Sequence, residues 1–326
     1  MQTVDIIVPC YNEAEVLPTF LSETEKIVRG IQDFSFSYIF VNDGSRDDSA
    51  ALLRRMSREH DHVHYLSFSR NFGKEAAMYA GLRNSTADYC IIMDADLQHP
   101  PALIPKMVEQ ILAGHDCAAA CRATREGEKG IRSWFSRLFY KFSNSISDVK
   151  MVQNAVDFRM MSRQMVDAIL ELSEVERFSK GIFMWVGFDT VWIPYENVER
   201  TIGTSKWSFK GLAKYALDGI TSFTIKPLKL VRNVGLILFI VSLIYIAATL
   251  IKTLIMGIDV PGYASLLCVV LFLGGVIELS LGIVGEYISH IYLEAKDRPV
   301  YILQESDRDA VITAKGETIR LKGDAK

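Results

Sequence analysis

Cysteine is scarce in this chain of 326 residues: there are five, an odd number, and no CxxC pair. That pattern excludes a disulfide framework and reads as reduced thiols in a cytoplasm-like compartment. Positive charge is not in excess either. Lys and Arg total 36 against 39 Asp and Glu, a net charge of −3, which argues against a nucleic-acid partner. Neither GxGxxG nor GxxxxGK[ST] occurs, so a hydride-transfer Rossmann enzyme and a P-loop NTPase are both disfavoured. The opening MQTVDIIVPCYNE has no basic stretch and only a short apolar run, so no signal peptide is expected. With 49% hydrophobic and 23% charged residues, the composition excludes wholesale disorder and low-complexity fibres.

Charge is missing most of all from one region. Between Asn233 and Leu293, only Lys252, Asp259, Glu278 and Glu286 are charged. Asn233–Ile251 is one unbroken apolar run, and Tyr263–Ile288 is a second, interrupted only by Glu278 and Glu286. A helix of ~20 residues crosses the ~30 Å hydrocarbon core of a bilayer. Two transmembrane helices are therefore expected, at about 233–252 and 263–288. Lys214, Lys226, Lys229 and Arg232 precede the first run, and Lys296 and Arg298 follow the second. By the positive-inside rule, both ends of the hairpin lie in the cytoplasm. The expected organisation is a cytoplasmic domain (1–204), juxtamembrane amphipathic helices (205–231), the two spans (232–290) and a cytoplasmic tail (291–326).

The first 230 residues alternate short apolar runs with helical patterns. Asp5–Pro9, Tyr38–Val41, His64–Phe68, Tyr89–Met93 and Cys117–Cys121 suit parallel strands buried on both faces. Helical stretches lie near Glu13–Arg29, Ser45–Glu59, Lys74–Arg83 and Pro101–Ala113. This alternation predicts a doubly wound α/β sheet, in which ligands bind beyond the carboxyl ends of the strands. Polar clusters follow four strands in succession: Tyr11-Asn12-Glu13, Asn42-Asp43-Gly44-Ser45, Ser69-Arg70-Asn71 and Asp94-Ala95-Asp96. Ile131–Ile146 has the apolar spacing of one helix face, with Arg132, Arg137 and Lys141 off the stripe. It lies in the membrane interface or packs on the domain's own core. Ser205–Pro227 repeats the interleaving of Lys with Trp and Phe.

Three groups of residues carry chemistry. Asp94, Asp96 and Gln98 alternate at a strand end, where i and i+2 side chains share a face. They form a hard oxygen set for Mg²⁺ or Mn²⁺. Arg122, Arg125, Arg177, Lys180, Arg200 and Lys206 suggest a cationic pocket for a phosphorylated substrate. Asp157, between Val156 and Phe158, is either a helix cap or a buried functional carboxylate. His60, His62 and His64 alternate between a helix and a strand and read as an exposed edge.

Taken in order, DIIVPCYNE, VNDGSRDDS, SRNFGKEAAMYAGL, MDADLQHPP, VDFRMM, ERFSKG and RTIGTSKWSF, followed by two apolar helices, resemble the polyprenyl-phosphate glycosyltransferases of glycosyltransferase family 2. The bacterial bactoprenol glucosyltransferases are similar over the whole chain, and dolichyl-phosphate mannose synthase more distantly. The resemblance implies a GT-A fold, a Rossmann-like nucleotide-sugar-binding domain. It implies that Pro9, Tyr11, Asn12, Glu13 and Asp43 hold the nucleoside, with Lys74, Asp94, Ala95 and Lys180 also lining the donor site. Asp96 with Gln98 holds the metal, and Arg200 and Lys206 grip the diphosphate. Asp157 matches the family's catalytic carboxylate, with Asp96 beside it in the reaction. Arg122 and Arg137 fall near positions that meet the acceptor phosphate. The QxxRW motif of processive synthases is absent.

The resemblance further implies an inverting transfer of a hexose from a UDP-sugar to undecaprenyl phosphate, at the cytoplasmic membrane. Glucose is the expected sugar and N-acetylglucosamine the alternative. Gly275, Glu278, Gly282 and Gly285 recur at helical spacing on the second span, which suits helix packing and a homo-oligomer, a tetramer by resemblance. A membrane-tethered sugar-nucleotide sensor is the alternative of another class. Its mark would be loss of the metal or phosphate ligands, and Asp96, Gln98, Arg200 and Lys206 are all present.

Overall fold

The computed structural model describes residues 1–123, 152, 154–196, 224, 226–256 and 262–321. The chain begins with strand β1 (Gln2–Cys10), helix α1 (Leu17–Val28), β2 (Phe34–Asn42), α2 (Ser49–Glu59), β3 (Val63–Phe68), α3 (Lys74–Arg83) and β4 (Tyr89–Ile92). A 3₁₀ turn (Pro101–Leu103) leads into α4 (Ile104–Leu112), then β5 (Cys117–Arg122). The five expected strands and four expected helices are all present. Helix starts follow local chemistry: prolines stand in the first turn of α1 and α4, where no backbone N–H is needed. Each of these helices buries one stripe, Leu17, Phe20, Leu21, Thr24 and Val28 in α1, and Ile104, Met107, Val108 and Ile111 in α4.

The remaining elements are β6 (Ala155–Ser162), α5 (Arg163–Glu171), α6 (Ser179–Trp185), β7 (Thr190–Tyr195), the long helices α7 (Lys226–Met256) and α8 (Tyr263–Ala295), and β8 (Leu303–Ser306). A small two-stranded pair of β9 (Val311–Ile312) and β10 (Thr318–Ile319) closes the described chain.

The main sheet runs β7-β5-β6-β4-β1-β2-β3-β8. β3, β2, β1 and β4 are mutually parallel. β6 enters antiparallel between β4 and β5, so β5 is not the neighbour of β4 that a simple doubly wound series would give. The sheet is therefore mixed. β1 divides its side chains between two cores: Val4, Ile6 and Val8 pack with residues of α1, α2 and α4, and Ile7 packs with α3, α5 and α6. α3 lies so close to β1 that a Cβ on Gly81 would come 2.2 Å from Ile7 Cγ2.

The tail after α8 adds a strand to this chain's own sheet. β8 pairs antiparallel with the edge of β3. Glu305 carries the contact: Arg54 Nη2 donates to Oε2 at 2.6 Å, and Tyr65 Oη donates to Oε1 at 2.5 Å. Asp307 accepts from the Tyr65 N–H at 2.7 Å. The edge that would otherwise invite foreign strands is thus covered.

α7 and α8 are long and apolar enough to cross a membrane, and the spans within them are not buried against the rest of the chain. α7 begins at Lys226, seven residues before the first expected span, because nothing between Lys226 and Asn233 breaks a helix once Pro227 has occupied the first turn. Tyr287 Oη on α8 donates to the Thr224 carbonyl at 2.7 Å, tying the base of the hairpin. α8 also touches the sheet domain: His290 Nδ1 is 2.5 Å from Glu176 Oε2, and Glu294 accepts from the Val175 N–H at 2.8 Å. The helix expected at 131–146 lies outside the described residues, as does 205–223.

Candidate active site

The carboxyl ends of β1, β2, β3 and β4 lie side by side, and their loops are stitched together. After β1, Asn12 takes a left-handed backbone (φ 54°), which asparagine tolerates. Its N–H donates to Ser45 Oγ at 2.9 Å, and its Oδ1 accepts from the Arg46 N–H at 2.8 Å. The Glu13 N–H donates to Ser49 Oγ at 3.1 Å. Pro9 is buried in β1, while Tyr11 and Glu13 are half-buried at its mouth.

Asp43 is buried, and its carboxylate accepts from the N–H groups of Phe72 (2.6 Å) and Gly73 (2.9 Å). Burial raises its pKa, and the two N–H bonds oppose that rise. Asp43 therefore shapes the loop leading into α3. Gly44 beside it must be glycine: φ is +62°, and a Cβ would sit 2.3 Å from the Arg70 carbonyl carbon.

That loop delivers Lys74, the first residue of α3. Its Nζ lies 2.6 Å from Asp94 Oδ1 and 2.6 Å from Asp157 Oδ2. One ammonium thus bridges a carboxylate from the β4 loop and one from β6. Burial opposes charge on both acids and on the lysine. The ion pairing outweighs it. Asp94 is held well below the usual carboxylate range by Lys74 and His99, and Asp157 is lowered by Lys74 and Lys180. Lys74 is raised in turn by the two acids.

The Asp94–Gln98 segment corrects one expectation. β4 ends at Ile92, so residues 94 to 98 form a turn rather than a strand end. Leu97 has φ 54°, which breaks the i, i+2 alternation. The Gln98 N–H donates to Asp96 Oδ1 at 3.1 Å, a local turn bond that short acidic side chains favour. Ala95 between the two acids is buried, while Asp96 and Gln98 are half-buried.

The sequence reading missed several neighbours. His99 is buried, its Nδ1 is 2.7 Å from Tyr195 Oη, and its Nε2 is 3.7 Å from Asp94 Oδ2. Arg122 Nε donates to the same Tyr195 Oη at 3.4 Å, which links an acceptor-phosphate candidate to the Asp94 network. Glu75 accepts from the Ser179 hydroxyl and from its N–H, anchoring α6 and hence Lys180 beside the pair. Only the His in DLQHPP was visible as a local signal. The others meet through contacts that span tens of residues.

Arg177 does not join the cationic pocket. Its side chain is 2% exposed; it donates to the carbonyls of Leu172 and Ile169 and lies 4.2 Å over the Tyr79 ring. Arg159, buried in β6, likewise serves the carbonyls of Val156 and Asp157. Arg125, Arg137, Arg200 and Lys206 lie outside the described residues. Among the described residues, then, Lys74, Asp94, Asp157, His99, Tyr195 and Arg122 form one connected cluster, with Lys180 acting electrostatically on Asp157.

Comparison with known proteins places this crevice and hairpin in context. The glycosyl transferase family 2 profile matches residues 5–170, and that of the GtrB C-terminal hairpin matches 226–291. A putative glycosyltransferase, CsbB, of Bacillus subtilis is 45% identical over 93% of this chain and 92% of its own length. The bactoprenol glucosyl transferase of Shigella phage SfII is 40% identical over 94% of this chain and 98% of its own. The mannosyltransferase PcManGT of Pyrobaculum calidifontis, solved with GDP-Man and Mn²⁺, aligns over 90% of this chain and 85% of its own at 18% identity and a TM-score of 0.46.

Proposed function

The chain belongs to glycosyltransferase family 2, and from that premise we propose that it transfers glucose from UDP-glucose to undecaprenyl phosphate, with inversion at the anomeric carbon. The observation that carries the reading is the Lys74 bridge between Asp94 and Asp157 at the carboxyl edge of the sheet, on a chain whose relatives include bactoprenol glucosyl transferases matching almost end to end.

The residues suit that chemistry. The acceptor is a phosphate monoester with a second pKa of about 6, so it is largely dianionic at neutral pH and needs no base to attack the sugar. Asp157, held below the usual carboxylate range, is a poor proton acceptor. Its role in this reading is to fix Lys74 and a substrate hydroxyl. Lys74 in turn sets the position of Asp94. Asp94 spends both oxygens on Lys74, at 2.6 and 2.9 Å, so Asp96 and Gln98 fit a hard divalent ion better than Asp94 does. When bound there, Mg²⁺ or Mn²⁺ would stabilise charge on the departing diphosphate. Arg200 and Lys206 are proposed to hold the same diphosphate, and Arg122 with Arg137 the acceptor phosphate.

A polyprenyl acceptor stays in the bilayer, which fits a hairpin docked on the domain through His290 and Glu294. We place residues 1–204 and the tail from 291 on the cytoplasmic face of the cell membrane, from the basic residues that flank the hairpin. The stripe of Gly275, Gly282 and Gly285 supports a homo-oligomer, tetrameric in this reading. Among the described residues, a Cβ at each of the three glycines meets nothing within 4 Å.

The test is a panel of labelled UDP-sugars with undecaprenyl phosphate and Mg²⁺. Label from UDP-glucose should enter the lipid phase and vanish with EDTA. Transfer from UDP-N-acetylglucosamine alone would replace glucose in this assignment.

A further inference from the structure

At the edge of the sheet opposite the crevice, where the parallel strands begin, three ligand-bearing side chains converge. His60 closes the C-terminus of α2, and His62 immediately precedes β3. The Tyr38 N–H donates to the His62 carbonyl at 2.8 Å and fixes that turn against β2. Glu25 comes from α1, where its side chain is only 12% exposed. Its Oε1 lies 2.8 Å from His62 Nε2 and 3.9 Å from His60 Nδ1. One ligand atom from each of the three lies within 4.8 Å of the others.

We propose that Glu25, His60 and His62 form a zinc-type transition-metal site, separate from the donor crevice, that fastens α1 to the α2–β3 turn. Bonds of ~2.0–2.1 Å in a tetrahedral arrangement place ligand atoms ~3.3 Å apart. The two spacings from Glu25 Oε1, 2.8 and 3.9 Å, bracket that value. Two imidazoles and one carboxylate suit zinc and disfavour magnesium, which prefers an all-oxygen shell. The crevice set of Asp96 and Gln98 has the opposite preference, so the two sites sort their metals by chemistry.

Two further features complete the site. Arg29 Nη2 donates to the other oxygen of Glu25 at 2.6 Å, an outer hydrogen bond that orients a ligating carboxylate. A cleft of about 290 Å³ opens beside the cluster, lined by Glu25, His60, Leu52, Met56, Arg55 and Glu59. It has room for a water as fourth ligand, and Glu59 stands on its rim. Among the described residues, Arg29 at the end of α1 bonds Glu25, and Arg55 and Glu59 of α2 line the adjoining cleft.

The test uses the full chain in detergent, stripped with a chelator and dialysed against Zn²⁺ in the presence of excess Mg²⁺. One zinc per chain is expected in the wild type and in Asp96→Asn, with a rise in Tm on zinc addition. His62→Gln keeps a donor to Glu25 but loses the imidazole, and His60→Ala removes the imidazole that approaches Glu25 at 3.9 Å and packs on the ring of His62. Each should weaken zinc binding at least tenfold and abolish the Tm rise, while Mg²⁺-supported transfer is unchanged. Zinc content and Tm rise undiminished in both variants, zinc lost from Asp96→Asn instead, or no zinc retained by the wild type would each overturn the proposal.

Discussion

Replacing Lys74 by methionine removes the cation that bridges Asp94 and Asp157. With ~4 Å between charge centres, an ion pair is worth about 4 kcal/mol at an effective dielectric of ~20 and about 1 kcal/mol in water. The Lys74 side chain is 42% exposed, against 27% for Asp94 and 16% for Asp157, so each contact belongs nearer the lower figure after solvent screening. Two contacts then come to about 2–3 kcal/mol at neutral pH, a loss of roughly 5–10 °C in Tm.

The pH dependence gives a sharper test. In the wild type, both carboxyls have folded-state pKa values below the unfolded one. Their stabilisation is complete above the unfolded value near 4 and is lost as pH falls through the folded values. In Lys74→Met, burial and the mutual repulsion of Asp94 and Asp157 raise both carboxyls instead. The variant then loses stability as pH rises through those raised values. Its Tm deficit already contains the lost ion pairing at pH 4.5 and should grow further toward pH 7. Thermal unfolding of the detergent-solubilised protein between pH 4.5 and 8 measures this, and a deficit constant across that range would refute the electrostatic account of the bridge.

Other perturbations bear on separate parts of the molecule. Asp96→Asn should lower transfer by ~10²–10³, the scale of losing one group that stabilises developing charge, with Tm nearly unchanged. Gly44→Ala forces a Cβ against the Arg70 carbonyl in a left-handed backbone. It should cost ~2–4 kcal/mol in unfolding experiments and weaken UDP binding in calorimetry by misplacing Asp43. Glu305→Ala removes the acceptor for Arg54 and Tyr65. It should release β8 from β3, read as faster amide exchange at Leu66–Phe68, with UDP affinity retained. His290→Ala cuts the link between α8 and Glu176; turnover with the lipid acceptor should fall while UDP affinity holds.

Much of this architecture was legible because it is written locally. Runs such as DIIVP and YCIIM are apolar on both faces, which only a strand covered on both sides needs, and the uncharged stretches around α7 and α8 leave few alternatives to a membrane. Long-range pairing was not legible. β6 carries a buried Arg159 and follows β5 after a long gap, and nothing local says that it enters antiparallel between β4 and β5. β8 finds β3 across more than 230 residues through Arg54, Tyr65 and Glu305. In the site, the DxDxQ spacing announced oxygen ligands, yet its strand-end geometry failed because Leu97 turns the chain. Lys74 reads as an ordinary helix start, since its partners stand 20 and 83 residues away. Arg177 looked like a phosphate ligand because charge in a sequence says nothing about the carbonyls that wait for it.

The central claim is that this crevice moves glucose from UDP onto a polyprenyl phosphate. Its most direct test is the passage of label from UDP-glucose into undecaprenyl phosphate by purified protein with Mg²⁺, beside Asp96→Asn under the same conditions. The account predicts labelled lipid with the wild type and a loss of at least a hundredfold with the variant. UDP binding without transfer from any donor sugar would contradict it and leave a membrane-tethered nucleotide-sugar sensor as the better description.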